Sequence, residues 1–270
     1  MIDIIKRNLG IYIVFGVLVS IAIFAFLINS FSNSSKDITI EEYTANIVVN
    51  DDGTVTVSEV WDMNYPKGYT VRFRDIDFVR DLDDYPTSIT HTLSNPSFVE
   101  EDTYVQIYQS ATNITAYAEI GYSFDGDFDE RGDLVECYPI RPYCESVFTR
   151  LNGPYLLEGD VTFKYQYSLE SIMISQSGYI ELSQTLVGYA ESEIEQGTIT
   201  ITLPDNSAKT DEFHLFGHMD SSIEHIDSNT SMSIEFTNAT LDEVVSYRLL
   251  MPEGVVDSSF LVEGSNVEKD

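Results

Sequence analysis

The sequence predicts an all-β, β-sandwich-like extracytoplasmic domain preceded by a single N-terminal transmembrane helix. Three observations predict it. Short runs of alternating apolar and polar residues recur from Ile38 to Met251, separated by Gly, Pro, Asn and Asp clusters, the pattern of many half-buried strands joined by turns. The palette suits pleated sheet, with 17 Tyr and 15 Phe beside abundant Thr, Ile and Val, types that pack well on a strand face. The 19 residues from Gly10 to Ile28 carry no charge.

That apolar run comes first. A helix of its length spans about 28 Å, close to the roughly 30 Å hydrocarbon core of a bilayer. Lys6 and Arg7 precede it, and basic residues stay on the cytoplasmic side. The expected order is a cytoplasmic N-terminus (1–9), a membrane helix (10–29), a polar linker (30–37), a β-rich domain (38–254) and a frayed tail (255–270). This places the chain in the cell membrane, single-pass, with its bulk outside. A cleaved signal peptide is the competing reading and predicts secretion. It is disfavoured because such peptides have shorter apolar regions and a small-residue cleavage site.

The strand signals follow in order. Tyr43, Ala45, Ile47 and Val49 alternate with polar neighbours, Asp51-Asp52-Gly53 marks a tight turn, and Val55, Val57, Glu59 and Trp61 continue on one face. Further strands are predicted at 103–107, 115–124, 161–169, 198–203, 232–236 and 244–251. A short helix is predicted over Gln184–Glu195, weakened by Gly188.

Charge is one-sided. The chain holds 45 acidic and 14 basic side chains, net −31. The first 37 residues sum to +1, leaving 43 acids against 11 bases beyond them. Such a field repels nucleic acid and attracts cations.

In order along the chain, Asn50 to Glu59, Arg74-Asp75-Ile76, Phe163 to Tyr167, Ile194 to Pro204 and Met251 to Gly254 together resemble domain-of-unknown-function family 2207, a group of predicted bacterial membrane proteins. Asn50 to Glu59 resembles the family's first hairpin, and Arg74-Asp75-Ile76 an Arg-Asp-Ile-like motif. Phe163 to Tyr167 is similar to its next strand, and Ile194 to Pro204 to its strand ending in Leu-Pro. Phe236, Asn238, Leu241 and then Met251 to Gly254 resemble its last strand and closing turn. The likeness spans about Ile38 to Gly254. Where the family tends to show an aromatic-Asn pair and a later Trp, this chain has Ser183-Gln184 and Ala190. The resemblance implies a membrane location and a β-rich fold, and it supplies no catalytic residues.

Candidate chemistry is sparse. Cys137 and Cys144 are the two cysteines, and an even count in an exported chain favours a disulfide. Two separate thiols are the alternative. Asp125, Asp127, Asp129, Asp133 and Glu136 fall at positions 1, 3, 5, 9 and 12 of a calcium-type loop. Glu130 stands where an EF-hand needs Gly, and the flanks read as strand and loop. The segment is therefore either a calcium loop of another type or a solvated acidic turn; calcium is the one cofactor candidate. His214 and His218, with Glu224 and His225 nearby, lack a zinc motif. Arg131-Gly132-Asp133 is read as coincidence, and abundant aromatics could line a carbohydrate groove or simply pack.

No nucleophile elbow, Walker loop or dinucleotide fingerprint occurs. Two functions follow. One is a non-catalytic module that binds an envelope or surface protein partner, without nucleic acid. The other is a cell-envelope hydrolase using carboxylates assembled by the fold.

Overall fold

The computed structural model describes residues 38–77, 97–123, 127–128, 134–135, 144–176, 178–188, 192–204, 213–228, 230–241, 243–256 and 262–263. The chain divides into two units. The first, Met1–Asp37, lies outside the described residues, and so does the expected membrane helix. The second, Ile38–Asp270, contains everything below. Among the described residues no helix is long and apolar enough to cross a membrane.

The described chain is all-β. Its strands are β1 (Thr39–Val49), β2 (Val55–Tyr69), β3 (Val71–Asp77), β4 (Ser97–Gln109), β5 (Thr112–Asn113), β6 (Ala118–Ser123), β7 (Asp127–Phe128), β8 (Leu134–Val135) and β9 (Cys144–Leu151). They continue with β10 (Leu157–Glu170), β11 (Met173–Gln176), β12 (Tyr179–Val187), β13 (Ile194–Thr202), β14 (His214–Gly217), β15 (Ile223–Ser228), β16 (Ser231–Ala239), β17 (Val245–Pro252) and β18 (Val262–Glu263).

An eight-stranded sheet runs β15-β16-β13-β1-β2-β10-β4-β5, and a five-stranded sheet runs β14-β17-β12-β11-β18. A three-stranded sheet, β3-β9-β6, and the pair β7-β8 complete the set. Within the large sheet, β1 pairs in parallel with β13 and every other neighbour is antiparallel.

The predicted first hairpin is present. Val49 lies opposite Val55, and Gly53 takes a positive φ of 80° that other residues adopt at a cost. Asn50 closes the turn at both ends, accepting from the Gly53 N–H at 3.0 Å and donating its own N–H to Thr54 at 2.9 Å. The period-2 alternation then does what it predicts. Ala45, Ile47 and Val49 of β1, and Val55, Val57, Trp61 and Met63 of β2, are buried, while their neighbours are half-buried or exposed. Tyr43 meets Trp61 edge-to-face at 4.6 Å. Ile180, Leu182, Tyr247 and Leu249 of the five-stranded sheet belong to the same hydrophobic core as the inward face of β1 and β2.

Three local expectations differ. Residues 184–187 continue β12 instead of starting a helix: Gln184, Thr185 and Val187 pair with Tyr247, Ser246 and Val245 of β17. This strand is buried on both faces, polar residues included, so it shows no alternation for a periodicity argument to find. Thr115–Tyr117 forms a 3-10 turn before β6, because the Asn113 carboxamide accepts the Thr115 N–H at 2.9 Å and the Ile114 carbonyl accepts that of Tyr117. At the C-terminus, Val255 and Val256 are buried in the core and Ile174–Ser175 pairs with Val262–Glu263, so packing extends past Gly254.

Candidate functional site

From Val55 to Tyr65 the inward face of β2 contains one break in its apolar phase, Glu59, which is 1% exposed. A bare carboxylate there would be prohibitive, and the fold surrounds it with donors. Arg74 of β3 donates through Nε to Oε2 at 2.8 Å and through a terminal nitrogen to Oε1 at 2.6 Å. The Trp61 indole N–H adds a bond at 2.8 Å and the Tyr167 hydroxyl one at 2.7 Å. The same Arg74 nitrogen reaches the Leu186 carbonyl of β12 at 2.5 Å, and its other terminal nitrogen donates to the Asp75 carbonyl. One guanidinium thus ties together β2, β3 and β12, which belong to three different sheets.

Electrostatics keeps this pair ionised. Burial pushes the Glu59 carboxyl up, but the Arg74 charge and the surrounding donors outweigh it and hold the carboxyl below its ordinary value. Burial likewise works against the Arg74 cation, and Glu59 more than offsets it. Tyr43 and Tyr167 are raised by burial and then by the Glu59 charge. The guanidiniums of Arg72 and Arg74 lie over the Trp61 ring at 4.9 and 5.2 Å, a favourable placement for a cation. With Glu59 and Arg74 buried and their charges paired, the cluster fastens sheets together and, among the described residues, presents neither charge to solvent.

The accessible feature lies elsewhere. β14 ends the five-stranded sheet and β15 ends the eight-stranded one, so residues 218–222 link the two edges. That link is tightly held. Ser222 N–H bonds the Met219 carbonyl at 3.0 Å, His218 N–H bonds Ser246, and Asp220 N–H bonds the Glu243 carboxylate at 3.0 Å. The Glu224 carboxylate folds back to accept from Gly217 N–H and the Ser222 hydroxyl, both at 2.9 Å, and the Gly217 bond holds its carboxyl low.

All six residues of β15 are exposed, and among the described residues the strand pairs only with β16. Ile223 and Ile226 are 57% and 53% exposed. With Phe216, Leu241 and Val244 they make five of the nine exposed large hydrophobics among the described residues. Exposed apolar side chains therefore concentrate in the segment that carries this edge.

The predicted site residues fall largely elsewhere. Asp125, Asp129, Asp133 and Glu136 lie outside the described residues. Asp127 opens β7 opposite Val135, and Phe128 pairs with Leu134, so the two flanks of the acidic segment meet as an antiparallel pair. Cys137 is also outside the described residues, while Cys144 opens β9 opposite Asp77. His214 and His225 sit on different strands of different sheets, and among the described residues no group of three or more His, Cys, Asp or Glu is placed to hold a metal. Sequence reasoning missed Arg74 as the partner of Glu59. The available signal was an acid on the apolar phase of β2 and two arginines, Arg72 and Arg74, in the next strand.

A family model described as "Predicted membrane protein (DUF2207) N-terminal domain" matches residues 39–251. No curated protein matches the chain. Among solved structures, a candidate protease from Parabacteroides distasonis is 8% identical with a TM-score of 0.43, over 82% of this chain and 41% of that one. An M1 zinc metallopeptidase from Deinococcus radiodurans is 7% identical with a TM-score of 0.40, over 80% and 42%. The chain spans under half the length of either.

Proposed function

This chain belongs to the DUF2207 N-terminal-domain family of predicted membrane proteins, and from that premise we propose that it is a non-catalytic, sandwich-like binding module, held outside a membrane by the helix of residues 10–29. Its binding surface is the β15 edge, which adds an extended, basic segment of an envelope or surface protein as a further strand. The observation that carries the reading is the one-sided pairing and complete exposure of β15. A strand edge offers an unpaired row of backbone donors and acceptors, a ready template for another chain. Exposed apolar side chains gathered along an unpaired edge suit an interaction site.

Charge selects the partner. Glu224 and Asp227 lie on β15, Glu235 lies opposite Ile223 on β16, and the whole chain carries −31. A second copy is repelled, whereas a strand alternating apolar and basic side chains sets its apolar face beside Ile226, which lies opposite buried Met232, and its basic face beside Ile223 and Glu235 on the outer side.

Location and binding are tested separately. Protease added to intact cells should digest the C-terminal bulk, and a protected bulk would overturn the orientation. For binding, the full chain in detergent micelles is titrated with a synthetic peptide alternating valine and lysine. Binding should weaken with salt and be lost in Ile223→Asp/Ile226→Asp. Equal binding of a valine–glutamate peptide, or no loss in the double variant, would sink the edge assignment.

A further inference from the structure

Far from the β15 edge in sequence, Tyr117 and Tyr155 stack with ring centroids 3.9 Å apart and planes inclined by 18°. Tyr117 is 45% exposed, so solvent and small oxidants reach the pair. Both rings stand on ordered backbone. Tyr117 closes the 3-10 turn through its N–H to Ile114 at 2.9 Å, and its carbonyl accepts from Asn152 at 2.8 Å. Tyr155 is followed by Leu156, which packs so closely on Gly68 that an added Cβ there would lie 2.5 Å from it. The Tyr155 hydroxyl is raised above its ordinary value chiefly by a hydrogen bond with Tyr117. The stacking itself brings ring carbons of one tyrosine over those of the other.

We propose that Tyr117 and Tyr155 form an oxidative cross-linking site, joined ring to ring as a dityrosine by peroxide acting with a haem peroxidase. Each phenol loses one electron and its hydroxyl proton, giving two phenoxyl radicals with spin at the ortho carbons. A Cε carbon of each stacked ring couples with its counterpart in a new carbon–carbon bond. The two displaced ring hydrogens then move as protons to the oxygens and restore both phenols. In total two hydrogen atoms leave the protein, and one hydrogen peroxide takes them up to become two waters. The fold already supplies the approach, since the stacking distance is near the roughly 3–3.5 Å of a near-attack arrangement. By contrast, Tyr65 and Tyr69 meet edge-on at 5.4 Å with planes 63° apart, and Tyr65 is buried.

The full chain in detergent micelles is treated with hydrogen peroxide and a haem peroxidase, then reduced and digested with trypsin. Arg131 and Arg150 separate the two tyrosines in sequence, so only a new bond keeps their peptides together. The expected result is a monomer lighter by two hydrogens, with the Tyr117 and Tyr155 peptides joined as the dominant product. Tyr117→Phe and Tyr155→Phe should each abolish that product and leave the unfolding midpoint of the untreated protein unchanged. Cross-links spread over other tyrosines, cross-links between molecules only, or no joined peptide while free tyrosine in the same tube is consumed would each overturn the proposal.

Discussion

β2 and β15 belong to the same eight-stranded sheet and have opposite fates. β2 runs fifteen residues between β1 and β10, and its inward face from Val55 to Tyr65, Glu59 included, is buried. β15 runs six residues at the edge, and its isoleucines stay exposed. Hydropathy alone reverses this outcome, because an acid is inside and two isoleucines are outside. Position in the sheet decides burial, and burial then decides what each side chain must find. Inside, Glu59 needs a full set of donors; outside, Glu224 needs only a turn N–H and a hydroxyl, and Ile226 needs nothing for folding.

The contrast is tested most severely at Arg74. Arg74→Leu strands the Glu59 charge in the core and should cost about 3–5 kcal/mol, the usual penalty for breaking a buried pair from one side. Trp61 is the one tryptophan in the chain and touches the cluster, so its fluorescence in a urea titration reports the loss directly. Glu59→Met combined with Arg74→Leu should recover most of it. A double variant as weak as the single one would mean that lost packing, and not the orphaned charge, sets the cost.

Next comes Gly197, which lies opposite both Tyr43 and Phe236 in mid-sheet. A Cβ added there would sit 2.1 Å from the Phe236 ring. Gly197→Ala should therefore cost about 1–3 kcal/mol through overpacking. At the edge, Gly217→Ala meets the Ser222 side chain at 2.7 Å, a neighbour on an exposed turn, and should cost less by the same titration.

A smaller, pH-dependent effect follows from the lowered Glu59 carboxyl. Its contribution is fully present above the ordinary carboxyl value of 4.5 and is lost as pH falls below that value through the folded-state one. Thermal midpoints measured down this acid limb should drop less steeply in Glu59→Gln than in the native chain. Parallel curves would show that Glu59 titrates alike folded and unfolded.

The smallest change is expected at β15. Ile223→Ser with Ile226→Ser should alter unfolding free energy by no more than about 0.5 kcal/mol, as exposed substitutions generally do. A loss above 2 kcal/mol by the same urea titration, roughly the scale of burying one such side chain, would place these residues in the core and remove the edge from consideration.

Much of the fold could be read residue by residue. Asp51-Asp52-Gly53 between two alternating runs specifies a hairpin because turn chemistry and strand period are local. The strand that stops just before Leu203-Pro204 and the one ending at Met251-Pro252 were legible for the same reason. β12 was not. Its Glu181, Ser183, Gln184 and Thr185 are buried because other chain segments cover both faces and Arg248 binds Glu181 through two bonds of 2.9 Å. No local pattern encodes that cover. The edge at β15 was equally hidden, since Ile223-Glu224-His225-Ile226 reads like any short strand until its neighbours are known.

By itself, the sequence determined the strand period, the turns, the excess of acid and the family to which the chain belongs. It also placed Glu59 in phase with Val57 and Trp61, on a face that had to be inward. Only the tertiary structure decided which of 45 acids would be buried, which arginine would meet it, and which strand would be left at the margin. Alternation is a property of neighbours along the chain, whereas desolvation and its compensation are properties of segments far apart in sequence, brought together only by packing.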